Sequence, residues 1–357
     1  SGGQEHLYLE TQSALALPQE GKRLRIFSST QAPTAVQRIT ARVLGLAMND
    51  IEVDVARLGG AFGGKEDQAT PWAVIAALAA SQLRRPVRIA LSRIEDMRMT
   101  GKRHPYSSDF KIGLAEDGKI LAYEATYYQN AGAAADLSPA ILERSLFHST
   151  GSYFVPHVRV TALSCKTNLP PFTAFRGFGA PQAMFVVESA ITRAAEVMGI
   201  DRSEIQRRNL LAEGDTFPYG MKAQQGHTRR SFAETEERFD VTALRSEIDK
   251  HNGENRLTKR GLAMMPVCFG ISFTSTFLNQ AAALVHVYTD GSVGVSTGAV
   301  EMGQGVNAKI LGIAAHTLGI EPERVTIEST NTTRVANTSP TAASSGADMN
   351  GRATELA

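Results

Sequence analysis

GGAFGGKE, at residues 59–66, is the most informative stretch of the chain, because it matches the phosphate-binding P-loop pattern at every position except the last. A P-loop has a Gly, four residues, Gly-Lys and then a Ser or Thr whose hydroxyl binds magnesium. Glu66 takes that last position here, and a carboxylate repels nucleotide phosphates. The glycines still let the backbone approach a ligand closely. The stretch therefore indicates contact with a ligand other than a nucleotide, and magnesium-dependent nucleotide binding stays as an alternative.

The same loop closes a pattern that occurs twice. Each copy has a strand, a Gln-bearing loop, a helix ending near Leu-Gly, a second strand and a loop of small residues. The first copy consists of 24–27, Gln31, 33–45, 51–55 and 59–64. The second consists of 293–296, Gln304, 306–319, 325–328 and 339–346. Two half-sites closing on one ligand would follow, but strand–helix–strand units are common and coincidence is the alternative.

Other parts of the chain predict an α+β (mixed α/β) fold. Hairpins are indicated at 109–129 and 282–297, where Asp-Gly turns are flanked by alternating apolar residues. Apolar residues at three- and four-residue spacing predict helices over 33–46, 70–82, 181–198 and 306–318. The charged segment 234–259 is the best candidate for a domain boundary. We therefore expect a first domain at 1–240 and a second at 256–357.

Composition argues against several classes of function. The 357 residues include 37 Lys and Arg and 36 Asp and Glu, and the net charge of +1 creates no field for nucleic acid or an anionic membrane. No apolar run approaches the roughly 20 residues that span a bilayer. Two cysteines, Cys165 and Cys268, are too few for a disulfide framework, a four-cysteine zinc site or an iron–sulfur cluster. Both are expected to be buried thiols of a reducing compartment.

Four loops rich in small residues are candidates for ligand contact: 59–66, 173–179, 301–305 and 338–346. Each could be a plain turn, but together they indicate a large cofactor, because small residues let backbone amides come close to a ligand.

Glu66 and Arg176 are charged residues of opposite sign, one in each of the first two of these loops. They either form a salt bridge that pins two turns or bind a polar planar substrate, with Glu66 accepting from ring N–H groups and Arg176 donating to a carbonyl. Core packing and stacking on such a ring are both open for the aromatic residues Phe175, Phe178, Phe269 and Phe273.

At these residues the chain resembles the molybdenum-cofactor portion of the xanthine dehydrogenase/oxidase family of molybdenum hydroxylases. The matching segments are 2–6, 29–31, 63–66, 100–105, 166–170, 173–179, 269–274, 301–305 and 339–344. The resemblance implies two molybdopterin-binding domains, the second incomplete, and a molybdenum–molybdopterin cofactor. The metal would take its sulfur ligands from the pterin dithiolene and bond to no protein side chain.

The resemblance also implies roles for individual residues. Gln31 would hydrogen-bond an oxo ligand of the metal, and the cofactor would be lined by Phe62, Gly63, Met302, Gly303, Gln304, Ala343 and Ser344. Glu66 and Arg176 would bind and polarise a purine as catalytic residues, and the substrate would lie against Phe273, Thr274 and Phe178. Aldehyde-oxidising relatives generally lack the Glu/Arg pair, so its presence favours hydroxylation of xanthine or hypoxanthine.

By the same resemblance, hydroxylation would take its oxygen from water and pass electrons to iron–sulfur clusters and FAD. Because two cysteines cannot hold such clusters, these groups would lie on missing sequence or on partner subunits. We expect a dimer of complete units in the cytoplasm, with no nucleic-acid or membrane partner.

Two departures from the family pattern bear on activity. The family's general-base glutamate lies in a Gly-Glu-Pro-Pro stretch that this sequence does not contain, so we expect a C-terminally truncated chain with no turnover of its own. A stacking Phe is expected near residues 226–228, where the nearest candidate is His227. The alternatives are a catalytically incomplete cofactor-binding fragment and an aldehyde-oxidising relative.

Overall fold

Three β-sheets and ten α-helices make up the fold, as the α+β (mixed α/β) prediction requires. A computed structural model describes all residues from Ser1 to Ala357. The strands are β1 (Ser13–Pro18), β2 (Leu24–Ser28), β3 (Ile51–Val55), β4 (Val87–Ala90), β5 (Tyr106–Leu114), β6 (Ile120–Gly132), β7 (His157–Lys166), β8 (Ala283–Val287), β9 (Val293–Thr297), β10 (Val325–Ile327) and β11 (Thr330–Asn331). The helices are α1 (Pro33–Leu44), α2 (Thr70–Leu83), α3 (Arg93–Met99), α4 (Ser138–Phe147), α5 (Ala180–Met198), α6 (Arg202–Asn209), α7 (Thr228–Arg238), α8 (Val241–Glu254), α9 (Val306–Leu318) and α10 (Gly346–Leu356).

The first sheet has the strand order β11-β3-β2-β1-β4. β2 and β3 are parallel, whereas β1 runs antiparallel to β2 and β4. Helix α2 packs on this sheet through four buried alanines, Ala73, Ala76, Ala77 and Ala80. Their three- and four-residue spacing places them on one face of the helix, and their small side chains let the helix lie close to the sheet.

The predicted repeat is present as two parallel strand–helix–strand units. In the first, β2, α1 and β3 follow one another and the strands pair from Leu24 opposite Ile51. In the second, β9, α9 and β10 do the same, with Val293 opposite Val325. Both helices end at a glycine in the left-handed region, Gly45 or Gly319, which is why α1 stops at Leu44 rather than Leu46.

The middle sheet has the order β5-β6-β7 and confirms the predicted hairpin at 109–129. Its apolar face packs on α5, the helix predicted at 181–198. The second predicted hairpin is formed by β8 and β9. None of the helices combines the length and the apolar character that crossing a membrane requires.

The segment proposed as a domain boundary, 234–259, contains the end of α7 and all of α8. The boundary itself stays a prediction. The two cysteines correct one expectation, because Cys165 and Cys268 are each half-buried and free rather than buried. Cys165 lies on β7, an edge strand of the middle sheet. Because β7 has a neighbouring strand on one side only, Cys165 is less covered than a residue of the central strand would be.

The second half of the chain contributes a strand to the first sheet. β11 pairs antiparallel with β3, with Thr330 opposite Val55. Beside it, the Asn331 amide donates to the carboxylates of Glu52 (2.7 Å) and Asp54 (2.9 Å). The first and second copies of the repeat are therefore joined through one sheet.

Candidate functional site

Gln31 connects the loops that end the two copies of the repeat. Its side-chain Oε1 accepts from the backbone N–H of Gly63 at 2.9 Å, and its Nε2 donates to the backbone oxygen of Thr341 at 2.9 Å. Its backbone oxygen also accepts from the N–H of Thr341 at 2.9 Å. Since Gln31 is buried, these hydrogen bonds are shielded from water and connect two loops that are far apart in sequence.

The loop at 301–305 joins the same group. The backbone N–H of Leu58 donates to the backbone oxygen of Glu301 at 2.9 Å, and Met302 packs on the core of the first sheet. Burial acts to raise the pKa of Glu301, but N–H donors from Asn307, Gly303 and Gly305 outweigh it and leave the pKa lowered. The Glu301 carboxylate therefore stays charged and holds this glycine turn at the start of α9.

The loop at 173–179 lies against the first loop. The backbone N–H of Arg176 donates to the oxygen of Phe62 at 2.9 Å. A Cβ added at Gly63 would lie 2.9 Å from backbone atoms of Ala174, so only glycine fits at this contact. The structure thus brings together the four loops that the sequence singled out.

Predicted site residues in these loops have unusual backbone angles. Positive φ values occur at Phe62 (55°), Phe178 (49°), Ala343 (56°) and Ser344 (56°). Non-glycine residues in this region carry strain, which is commonly found at ligand contacts. The backbone N–H groups of Phe62, Ala343 and Ser344 donate no hydrogen bond within the chain. These N–H groups are free to bind a ligand.

Glu66 is a buried carboxyl group without a hydrogen-bond or ion-pair partner for its side chain. Burial is the main cause that raises its pKa to about 8, and the negative charges of Asp67 and Asp136 raise it further. At neutral pH most of the population carries a proton on this carboxyl group, which can then both donate and accept a hydrogen bond.

Arg176 does not pair with Glu66, so the salt-bridge interpretation of these two residues is wrong. The side chain of Arg176 is exposed and makes no ion pair. Only its backbone is engaged, through Phe62 and through the guanidinium of Arg103, which donates to the Arg176 oxygen at 2.8 Å.

Arg144 is a candidate that the sequence analysis missed. It is 7% exposed, has no carboxylate within ion-pair distance, and donates to the backbone oxygens of Gly270 (2.5 Å) and Ser272. Burial lowers its pKa, yet it remains a cation at neutral pH. Its position in the sequence could have indicated burial, because Ile141, Arg144 and Ser145 share the buried face of α4.

The segment held by Arg144 carries two of the predicted substrate residues. Ser272 donates to the backbone oxygen of Ala343 at 2.8 Å, which places the segment beside the last loop. Phe273 lines a small cavity of about 20 Å³ with Thr341 and Ala342. The hydroxyl of Thr274 donates to Glu143 of α4 at 2.6 Å.

The other aromatic candidates have different surroundings. Phe175 stacks on His6, with ring centres 4.5 Å apart, beneath the guanidinium of Arg103. It is therefore engaged in packing. His227 is exposed before α7, and no hydrogen bond or ring contact joins it to the loops. A separate apolar cavity of about 830 Å³ along α5 is lined by Phe269 but by none of the residues predicted to bind cofactor or substrate.

Two family profiles, both described as the molybdopterin cofactor-binding domain, match residues 1–210 and 234–357. The chain belongs to the molybdopterin cofactor-binding domain family. The matches confirm the two such domains expected from the sequence. The loops joined by Gln31 lie one in each match, so both matched regions of this family build the site.

The similarity to known proteins extends over nearly all of the chain. Xanthine dehydrogenase/oxidase of Felis catus is 45% identical over 353 residues, which is 99% of this chain and 26% of the relative. Nicotinate hydroxylase of Emericella nidulans is 45% identical over 355 residues, with the same coverage of 99% and 26%. The structure of quinoline 2-oxidoreductase from Pseudomonas putida 86 matches with a TM-score of 0.83 and 25% identity, covering 99% of this chain and 47% of that chain. The chain spans about a quarter of the length of these curated relatives.

The residues at the loop junction fit a molybdopterin cofactor. Its phosphate and carbonyl oxygens would need hydrogen-bond donors, and the free N–H groups of Phe62, Ala343 and Ser344 could supply them. A Cβ at Gly303 would meet nothing within 4 Å, so there is open space beside that turn. No group of three His, Cys, Asp or Glu side chains is arranged so that it could hold a metal ion.

Proposed function

We propose that this chain is the cofactor- and substrate-binding part of a purine hydroxylase of the xanthine dehydrogenase/oxidase type. The reaction replaces a ring C–H by C–OH with an oxygen atom from water and releases two electrons and two protons. When bound, the molybdenum cofactor supplies the two-electron oxidation. The observation that carries the proposal is Glu66, a buried carboxyl group without a partner in the loop that also presents free backbone N–H groups.

Glu66 supports a nitrogen heterocycle as the substrate class. A buried polar group without a partner is costly, and a ligand that hydrogen-bonds it removes this cost. The edge of a purine alternates ring nitrogens, N–H groups and carbonyl oxygens, so it can satisfy both the donor and the acceptor of a carboxyl group. Aldehydes offer a single oxygen and leave one of these functions unpaired.

The two arginines have different roles in this proposal. Arg176 has a free guanidinium on a loop whose backbone is bound to Phe62, and it donates to a purine carbonyl. Arg144 orders the segment 270–272 and thereby places Phe273 and Thr274 beside the site. Phe178 and Phe273 provide aromatic faces that flank the ring.

The proposal includes the rest of the electron path. Iron–sulfur clusters and FAD, on other sequence or on partner subunits, receive the electrons. The complete units form a dimer in the cytoplasm and bind neither nucleic acid nor a membrane. The near-zero net charge supports this last point, since it creates no field toward a polyanion.

Two substitutions test the proposal in an enzyme that contains this chain with its redox partners. Arg176→Met should lower kcat/KM for xanthine about ten- to a hundredfold, the effect of losing a charge-assisted hydrogen bond of about 1.5–3 kcal/mol. Glu66→Gln replaces a neutral carboxyl group by an amide and should lower kcat/KM about two- to tenfold, the effect of losing a neutral hydrogen bond of about 0.5–1.5 kcal/mol. Arg230→Met is the matched control, because Arg230 makes only an exposed pair with Glu234. The molybdenum content of each variant shows whether the cofactor is retained. Unchanged xanthine turnover in both site variants would refute the assignment.

Nicotinate hydroxylation is a second candidate, favoured by the nicotinate hydroxylase that is as similar to this chain as the xanthine enzyme. Its substrate is also a nitrogen heterocycle, and its carboxylate suits Arg176. The ratio of kcat/KM for xanthine to that for nicotinate distinguishes the two. A value below one would replace the purine proposal by this one.

A further inference from the structure

Three carboxyl groups act on one another beside the loop at 59–66. Two of them, Glu66 and Asp67, are adjacent in that loop, and the third, Asp136, follows β6. Burial is the largest cause that raises the pKa of each, and the charge of Asp136 raises that of both Glu66 and Asp67. Like charges disfavour each other, so the three groups do not ionise independently.

Asp136 is the carboxyl group best prepared to be an anion. Its Oδ1 accepts from the Thr173 hydroxyl (2.6 Å) and the Leu137 N–H (2.7 Å), and its Oδ2 accepts from Gln68 Nε2 (2.7 Å). The amide of Gln68 is oriented by its own Oε1, which accepts from the Gly101 N–H at 2.9 Å. Three donors on two oxygens stabilise the charged form.

Asp67 is the most exposed of the three carboxyl groups, although burial and the charge of Asp136 still raise its pKa. Its side chain accepts no hydrogen bond. The charge of Arg38, on α1, favours its anionic form. Lys65 does not neutralise the cluster, because its Nζ points to Ser29 (2.7 Å) and Glu10 (3.3 Å).

Glu66 has none of these advantages, since it is 4% exposed and its carboxyl oxygens accept nothing. We propose that Asp67 and Asp136 are positioning residues that keep the proton of this cluster on Glu66 at neutral pH, so that Glu66 presents an O–H donor to the substrate. The role toward substrate rests on the proposed function, whereas the location of the proton does not.

This arrangement selects a chemical feature of the ligand. An O–H donor needs an acceptor, such as an unprotonated ring nitrogen or a carbonyl oxygen of a nitrogen heterocycle. A neutral carboxyl group also accepts an anionic form of that ring, which a carboxylate would repel. Substrates that lose a ring proton near neutral pH can therefore bind in either state.

The location of the proton can be measured without substrate by infrared titration of the 357-residue chain. The C=O band of a protonated carboxyl group should persist above pH 7, and Glu66→Gln should remove it. Asp67→Asn deletes one of the two charges without breaking any hydrogen bond, and should lower the midpoint of this band by about one pH unit. The circular dichroism spectrum of Asp67→Asn should be the same as that of the unchanged chain. A substitution that shifted the midpoint by disturbing the fold would alter this spectrum.

Glu20→Gln is the matched control, because it removes one negative charge at an exposed turn and should leave the midpoint unchanged. Asp67→Ser is a second variant that also removes the charge and should give the same shift if Asp67→Asn does not fold. Absence of the Glu66-dependent band at pH 7, or a midpoint that neither Asp67 variant lowers, would overturn the inference. If the titration behaves as expected but xanthine is not oxidised by the complete enzyme, the proposed function fails and the inference stands.

Discussion

Glu66→Gln should make the stability of the chain less dependent on pH. Burial first, and then the charges of Asp67 and Asp136, raise the pKa of Glu66 from 4.5 to about 8. The unfolded chain releases this proton at the lower value and the folded chain at the higher one, so the folded state loses stability as the pH rises between them. At about 1.4 kcal/mol per pKa unit, the loss is about 1 kcal/mol at pH 5 and about 3 kcal/mol at pH 7.

Glutamine has nearly the same shape as glutamate and does not titrate, so the variant should lack this loss. Urea unfolding measured from pH 5 to pH 8 gives the free energy of unfolding of both proteins. The difference between them should grow in favour of the variant by about 2.5 kcal/mol between pH 5 and pH 7. The cost of burying the amide is the same at each pH and does not affect this slope. Parallel curves for the two proteins would refute the reasoning.

Three further predictions concern the loops. Gln31→Leu should lower the free energy of unfolding by about 2–6 kcal/mol in urea unfolding, because it leaves the N–H of Gly63 and the C=O of Thr341 unpaired at about 1–3 kcal/mol each. An unchanged unfolding midpoint would show that these two hydrogen bonds do not stabilise the chain. Gly179→Ala should lower the thermal midpoint more than Gly199→Ala, since both have positive φ but only a Cβ at 179 meets a backbone oxygen, that of Ile141, at 2.3 Å; equal losses would show that φ alone matters. Arg144→Met should lower the thermal midpoint through two charge-assisted bonds of about 1.5–3 kcal/mol each, whereas Arg176→Met should leave it nearly unchanged; the reverse order would exchange their assigned roles.

Local sequence pattern was sufficient for most of the main elements. The four helices predicted from three- and four-residue spacing have ends within two residues of their predicted positions. This spacing is a property of one helix face and needs no knowledge of the rest of the chain. Helix α4 was not predicted, because its buried face includes the polar residues Ser138, Arg144 and Ser145 and so shows no apolar stripe.

The sequence predicted the loops of the candidate site but not the contacts that join them. Small residues marked the four loops, since close backbone approach needs them. The contacts between loops join residues far apart in sequence, such as Gln31 and Thr341, and no local pattern reports them. The pairing of Glu66 with Arg176 was a reasonable interpretation of opposite charges, yet the structure leaves both unpaired.

The sequence by itself determined the family, the repeated strand–helix–strand unit and the four loops of small residues, because motifs and periodicity are properties of consecutive residues. Only the tertiary structure decided that β11 joins the two halves, that Arg144 is buried, and that the pKa of Glu66 is raised. The charge of a buried group depends on the water it has lost and on the donors and charges that face it. For Glu66, Asp136 is one of those charges, and only folding brings the two together.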